Sequence, residues 1–217
     1  MAGGMKKTFI ALLAFIALML GLMVNKVMHP PALSAEQFKA RGVFLFDRAR
    51  KIKPFTLSNH KAEVFTQANL KGQWSLLFVG FTHCPDVCPT TLAMLNKAMK
   101  NIDDDQMINT TQVILLSVDP ARDTVPVLSQ YMPFFNPRFI GLTGDFLEVL
   151  GLTSNLNAPF RKVVTAENYT LDHSAYIFLI NPQGDFQGFI KPPFAAESFA
   201  LNYLAIRKMY QNDELVR

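Results

Sequence analysis

The strongest constraint on how this chain folds is a ten-residue junction, Gly80-Phe81-Thr82-His83-Cys84-Pro85-Asp86-Val87-Cys88-Pro89, which holds its only two cysteines. An apolar run, Ser75 to Phe81, leads into it, and a helix-patterned run, Thr90 to Ile102, leaves it. Strand, cysteine turn and helix in that order place thiols at a helix start. There the unpaired N–H groups and the positive end of the dipole favour thiolate over thiol. Proline cannot sit deep in a helix, so the helix is predicted to start near Cys88 with Pro89 in its first turn. If Cys84 to Cys88 make one turn, their side chains share a face and their Cα atoms lie about 6 Å apart, within disulfide range and close enough to grip one soft metal ion. Two small buried hydrophobes are the bland alternative. It fails on context, because the pair flanks Pro-Asp and shares one local turn.

Two cysteines supply two ligands, whereas a closed structural zinc site takes four. Cu(I) takes thiolates readily, and imidazole also suits copper. The histidines are His29, His60, His83 and His173. His173 lies in Asp172-His173-Ser174, just before an apolar run from Ala175 to Ile180, roughly where a thioredoxin presents its cis-proline to the cysteines. It is either a ligand facing the thiols or a histidine satisfying a loop carbonyl, and spacing does not separate the two. Asp172 is a candidate to orient the ring through its second nitrogen. His83 adjoins Cys84 and reads as a structural or tuning residue; His29 and His60 read as surface loop residues. Asp86 either tunes the site or offsets the helix N-terminus. Asp119-Pro120-Ala121-Arg122-Asp123-Thr124 reads as turn and capping chemistry, with a secondary site role for Asp119 at a strand end. The ten methionines read as core and lipid filling.

The rest of the chain supports an α/β domain behind a greasy leader. Half the residues are hydrophobic and net charge is +4, with no basic run beyond Lys6-Lys7, so nothing marks a nucleic-acid partner. Thr8 to Val24 is uncharged, which predicts an N-terminal transmembrane helix over residues 1–28, favoured over a cleaved signal ending near Ala32-Leu33-Ser34. With Lys6-Lys7 kept inside, the domain faces the oxidising side. Residues 29–40, with Pro30-Pro31, read as a linker, and 41–217 as the domain. A short helix is expected over Ser34–Lys39, and strands over Arg41–Phe46 and Phe55–Leu57. Beyond the cysteine junction, strands are expected over Gln112–Val118, Phe139–Leu142, Arg161–Thr165, Ala175–Ile180 and Phe186–Ile190. Helices are expected over Thr124–Met132, Asp145–Asn155 and Phe194–Tyr210. That alternation, ending in a hairpin and a helix, predicts a thioredoxin-like mixed sheet flanked by helices, with its chemistry at the carboxyl ends of the strands.

The junction resembles the signature of the Sco/SenC copper chaperones. Ser117-Val118-Asp119-Pro120-Ala121-Arg122-Asp123-Thr124, Gly141-Leu142-Thr143-Gly144, Asp172-His173-Ser174 and Asn181-Pro182-Gln183-Gly184 resemble the family too, over roughly Pro54 to Ile206. The resemblance implies a membrane-tethered protein of thioredoxin fold holding one copper ion, Cu(I) or Cu(II), through Cys84, Cys88 and His173. It also implies a redox role for the Cys84/Cys88 pair. By the same resemblance the partners are an upstream copper donor and cytochrome c oxidase subunit II, whose CuA site receives copper, has its cysteines reduced, or both. The location implied is a bacterial inner membrane, single-pass, with the domain in the periplasm. A thiol–disulfide oxidoreductase and a redox or copper sensor are the competing readings.

Overall fold

The computed structural model describes residues 2–28, 34–164 and 168–212, with the side chains of the first helix described for residues 8–24. His29, the Pro30-Pro31 pair, most of the weighed cleavage site and Thr165 lie outside the described residues. The chain forms two compact units, Met1–Ser34 and Ala35–Arg217. The first is helix α1, Ala2–Met28, whose side chains from residue 8 to 24 are all exposed. Among the described residues, no helix is long and apolar enough to cross a membrane.

Packing of the second unit begins before residue 41. Helix α2, Ala35–Ala40, buries Phe38 to 2% exposure, so the end of the expected linker lies in the domain. Three strands follow: β1 (Val43–Lys51), β2 (Thr56–Asn59) and β3 (Val64–Thr66), the last running into a 3₁₀ turn at Gln67–Leu70. Strand β1 extends well past the expected Phe46. Its polar end, Asp47 to Lys51, lies at the edge of the sheet, where outward side chains are solvated.

The centre of the molecule is β4 (Trp74–Gly80), buried at every position. It is an unbroken apolar run because both its faces are covered. Helix α3 (Val87–Lys100) buries Cys88, Thr91, Leu92, Leu95, Ala98 and Met99, the three- and four-residue spacing of one helix face. A short helix, α4 (Asp105–Asn109), capped by the Asp104 carboxylate, precedes β5 (Thr111–Ser117). Then come α5 (Val125–Phe135), β6 (Ile140–Thr143) and α6 (Phe146–Asn155). The chain continues through β7 (Phe160–Val164), β8 (Tyr169–His173), β9 (Ile177–Ile180), β10 (Asp185–Ile190) and α7 (Ala196–Gln211).

The main sheet has the order β1-β10-β9-β4-β5-β6-β2-β3. Strands β4, β5 and β6 are parallel, and their neighbours on either side run antiparallel. This is the expected mixed sheet. The parallel strands end side by side at Gly80, Ser117 and Thr143, so the cysteine junction and the turn after β5 rise from the same edge. One element departs from expectation. Residues 169–173 form strand β8, which pairs with β7 as a separate hairpin, so His173 ends a strand rather than sitting in a loop.

Candidate metal centre

The cysteine loop is built by close approach. Gly80 ends β4 directly beneath Cys88: a Cβ added there would lie 2.8 Å from the Cys88 sulfur and 3.0 Å from the Phe78 ring. Cys88 is the second residue of α3 and is fully buried; Cys84 precedes the helix and is half-buried. The Cys88 N–H donates to the Cys84 sulfur at 3.4 Å. The sulfur thus takes one of the N–H groups that a helix start leaves unpaired. Asp86 makes no such cap; it is exposed and accepts from the Thr90 hydroxyl at 3.3 Å.

His173 reaches the same point from β8. Its Nε2 lies 3.6 Å from the Cys88 sulfur. Its Nδ1 lies 3.0 Å from the Ser174 carbonyl, a contact that needs a proton on Nδ1 and turns Nε2 toward the sulfurs. The ring therefore faces the thiols with one nitrogen and a loop carbonyl with the other. Asp172 does not orient the ring, contrary to expectation. Its exposed carboxylate points away, accepting from Arg161 Nε at 3.0 Å. Phe78 and Phe81 meet the imidazole at close to right angles, with centroids at 6.0 and 5.7 Å.

The donor atoms of Cys84, Cys88 and His173 all lie within 4.8 Å of one another. Bonds of about 2.3 Å to sulfur and 2.0 Å to nitrogen around a trigonal ion would separate donors by about 4 Å, so the trio fits one soft ion with little movement. The protons are unevenly shared. Contact with the Cys88 side chain holds the Cys84 thiol down to about 4, helped by His173 and the N–H groups of Cys88 and Asp86. The same contact, reinforced by burial, pushes the Cys88 thiol up. The contact therefore biases the pair toward thiolate at Cys84 and thiol at Cys88.

The cluster does not include the other residues singled out from sequence. His83 is half exposed, its Nδ1 3.1 Å from the Thr82 hydroxyl and 3.8 Å from Asp123. His60 is buried rather than on the surface: its Nδ1 accepts the Gly141 N–H at 3.2 Å, and burial lowers its pKa. Asp119 is buried, pairs with Arg122 and accepts from the Tyr169 hydroxyl at 2.8 Å. Asp123 carries more of the site than its place in a turn suggested. Fully buried, it accepts the Thr82 N–H at 2.9 Å, the Thr82 hydroxyl at 2.5 Å and the Ser117 hydroxyl at 2.6 Å. It anchors the start of the cysteine loop to the end of β5.

The SCO1/SenC family model matches residues 46–205. A Stutzerimonas stutzeri protein that bears the name "Putative copper-binding protein" is 36% identical over 70% of this chain and 74% of its own length. The mitochondrial protein SCO2 of Saccharomyces cerevisiae is 40% identical over 61% of this chain. This chain spans 45% of that yeast protein and 54% of the bovine SCO2 homologue. Among solved structures, copper-bound ScoI of Arabidopsis thaliana superposes with a TM-score of 0.68 at 32% identity, covering 73% of this chain and 99% of that one. Copper-bound ScoI of Bradyrhizobium japonicum gives 0.64 at 33% identity, covering 71% and 97%. A thioredoxin-like sheet with two cysteines and a histidine converging at its carboxyl edge, matched over most of its length, belongs to a protein of the SCO1/SenC family.

Proposed function

We propose that this protein is a metallochaperone that carries one copper ion between Cys84, Cys88 and His173 and releases it to an acceptor. The observation that supports this most directly is the convergence of two sulfurs and one imidazole nitrogen within 4.8 Å, in a pocket partly open to solvent. Three ligands with an open side suit an ion that is cargo, because an incoming thiolate can join before a resident one leaves. The acceptor proposed is the CuA site of cytochrome c oxidase subunit II, with an upstream copper protein as donor. The domain is placed at the outer face of a bacterial inner membrane, tethered there through the seventeen uncharged residues from Thr8 to Val24, whose span of about 26 Å falls a little short of the ~30 Å of a hydrocarbon core.

A thiol–disulfide reaction is the second reading, supported by the acidic Cys84 thiol beside a protonated Cys88. The Cys84 thiolate attacks a partner disulfide and the partner's leaving thiolate takes up a proton. Cys88 then gives up its proton and attacks the mixed disulfide. The products are a Cys84–Cys88 disulfide and two partner thiols. The two readings part on His173. The substitution His173→Ala should weaken Cu(I) binding by more than about tenfold while leaving Cys84–Cys88 disulfide formation intact. Mixing the Cu(I)-loaded protein with an apo subunit II domain, with copper and thiols followed separately, distinguishes donor from reductant. Unchanged Cu(I) affinity in the variant would refute the three-ligand site.

A further inference from the structure

The imidazole that completes the trio arrives on a hairpin that is not part of the main sheet. Strands β7 and β8 pair with each other, and β7 is largely exposed. The reach of His173 therefore depends on what fixes β8 at its other end, four residues or about 13 Å away at Tyr169. There the turn after β5 meets it three times. The Tyr169 hydroxyl donates to Asp119 at 2.8 Å. Arg122 Nη1 donates to the Tyr169 carbonyl at 3.2 Å. The Arg122 guanidinium also lies 3.7 Å from the centroid of the Tyr169 ring. Asp119 and Arg122 pair with each other, with side chains 5% and 18% exposed. Asp123 of the same turn holds Thr82, two residues before Cys84. One turn thus grips the cysteine loop on one side and the histidine hairpin on the other.

We propose that Tyr169, Asp119 and Arg122 form a latch that sets the position of His173 against the two sulfurs, each acting as a positioning residue and none as a ligand. The ion pair, with Asp119 buried and Arg122 largely covered, gives the latch a fixed anchor. A hydroxyl bonded to a carboxylate, with a planar cation stacked on the same ring, fixes both the height and the tilt of β8. The inference rests on the reading of His173 as a copper ligand, so its test includes a measurement without metal.

The variant is Tyr169→Phe in the full-length reduced protein, which removes one oxygen and leaves the ring. Without metal, the ring protons of His173 report its place against Phe78 and Phe81 through ring-current shifts, assigned by their loss in His173→Ala. In Tyr169→Phe these resonances should move toward those of a solvent-exposed histidine. Cu(I) affinity, from competition with a chromophoric chelator, should fall about tenfold, as expected for loss of one hydrogen bond to a charged group. That loss should vanish in a His173→Ala background. Unmoved resonances overturn the latch, as does a loss of equal size in the His173→Ala background. Unchanged copper affinity in Tyr169→Phe, where His173→Ala does weaken binding, overturns it too. If His173→Ala leaves copper affinity unaltered, the ligand reading fails, and the metal-free resonances still decide whether Tyr169 positions the ring. Should Tyr169→Phe not fold, Asp119→Asn carries the same measurements, since it keeps the shape of the acceptor and removes its charge.

Discussion

Replacing Asp123 by alanine should destabilise the domain well beyond the usual effect of a turn substitution. The carboxylate is fully buried and accepts three hydrogen bonds, from the Thr82 N–H, the Thr82 hydroxyl and the Ser117 hydroxyl. Hydrogen bonds to a charged group contribute about 1.5–3 kcal/mol each, so the simple sum is about 5–9 kcal/mol. Removing the carboxylate also relieves the cost of keeping a charge out of water, which brings the expected net loss to about 3–5 kcal/mol. In a domain of this size each kcal/mol lowers Tm by about 2–4 °C, so the shift should exceed about 6 °C. Thermal and urea denaturation of the reduced, metal-free protein measure it. Ser117→Ala removes one of the three donors and should cost about 1.5–3 kcal/mol, which calibrates the larger effect. An Asp123→Ala variant within about 1 kcal/mol of the parent would show that these bonds do not hold the cysteine loop.

Two further outcomes follow from the site. The Cys84 thiol, held down to about 4, should alkylate with iodoacetamide at a rate nearly independent of pH from about 5.5 upward, whereas buried Cys88 stays unmodified until denaturant is added. A Cys84 rate that rises tenfold per pH unit up to about 8.5 would mean an ordinary thiol. The substitution Gly80→Ala should cost about 1–3 kcal/mol and weaken copper binding, because its methyl would overlap the Cys88 sulfur and the Phe78 ring. Parental Tm and copper affinity in that variant would contradict the packing described here.

What the sequence displayed well is what local spacing decides. The run from Ser75 to Phe81 reads as a covered strand because it is apolar on both faces, and the cysteine turn reads as a helix entry because Pro89 allows little else. His173 was less legible. Spacing left it open between ligand and carbonyl partner, and the family resemblance carried the choice. The partner strand was expected near Arg161–Thr165, but the strand that delivers the histidine escaped notice because Tyr169–His173 has one buried apolar residue, Leu171, among half-buried and exposed neighbours, too little to make an alternating apolar pattern. Asp123 and His60 were misjudged for a different reason. Each looks like turn chemistry in its own neighbourhood, yet its partner lies 41 or 81 residues away, a distance over which local pattern carries no signal.

The unequal exposure of the two sulfurs gives the site a front and a back. Cys88 is walled in by Gly80 and Phe78, while Cys84 meets solvent. Under the proposed chaperone role, a thiolate arriving from an acceptor would meet the outer sulfur's side of the ion first, and the inner sulfur would let go last. Entry and exit would then share a single door, set by the depth of the two side chains.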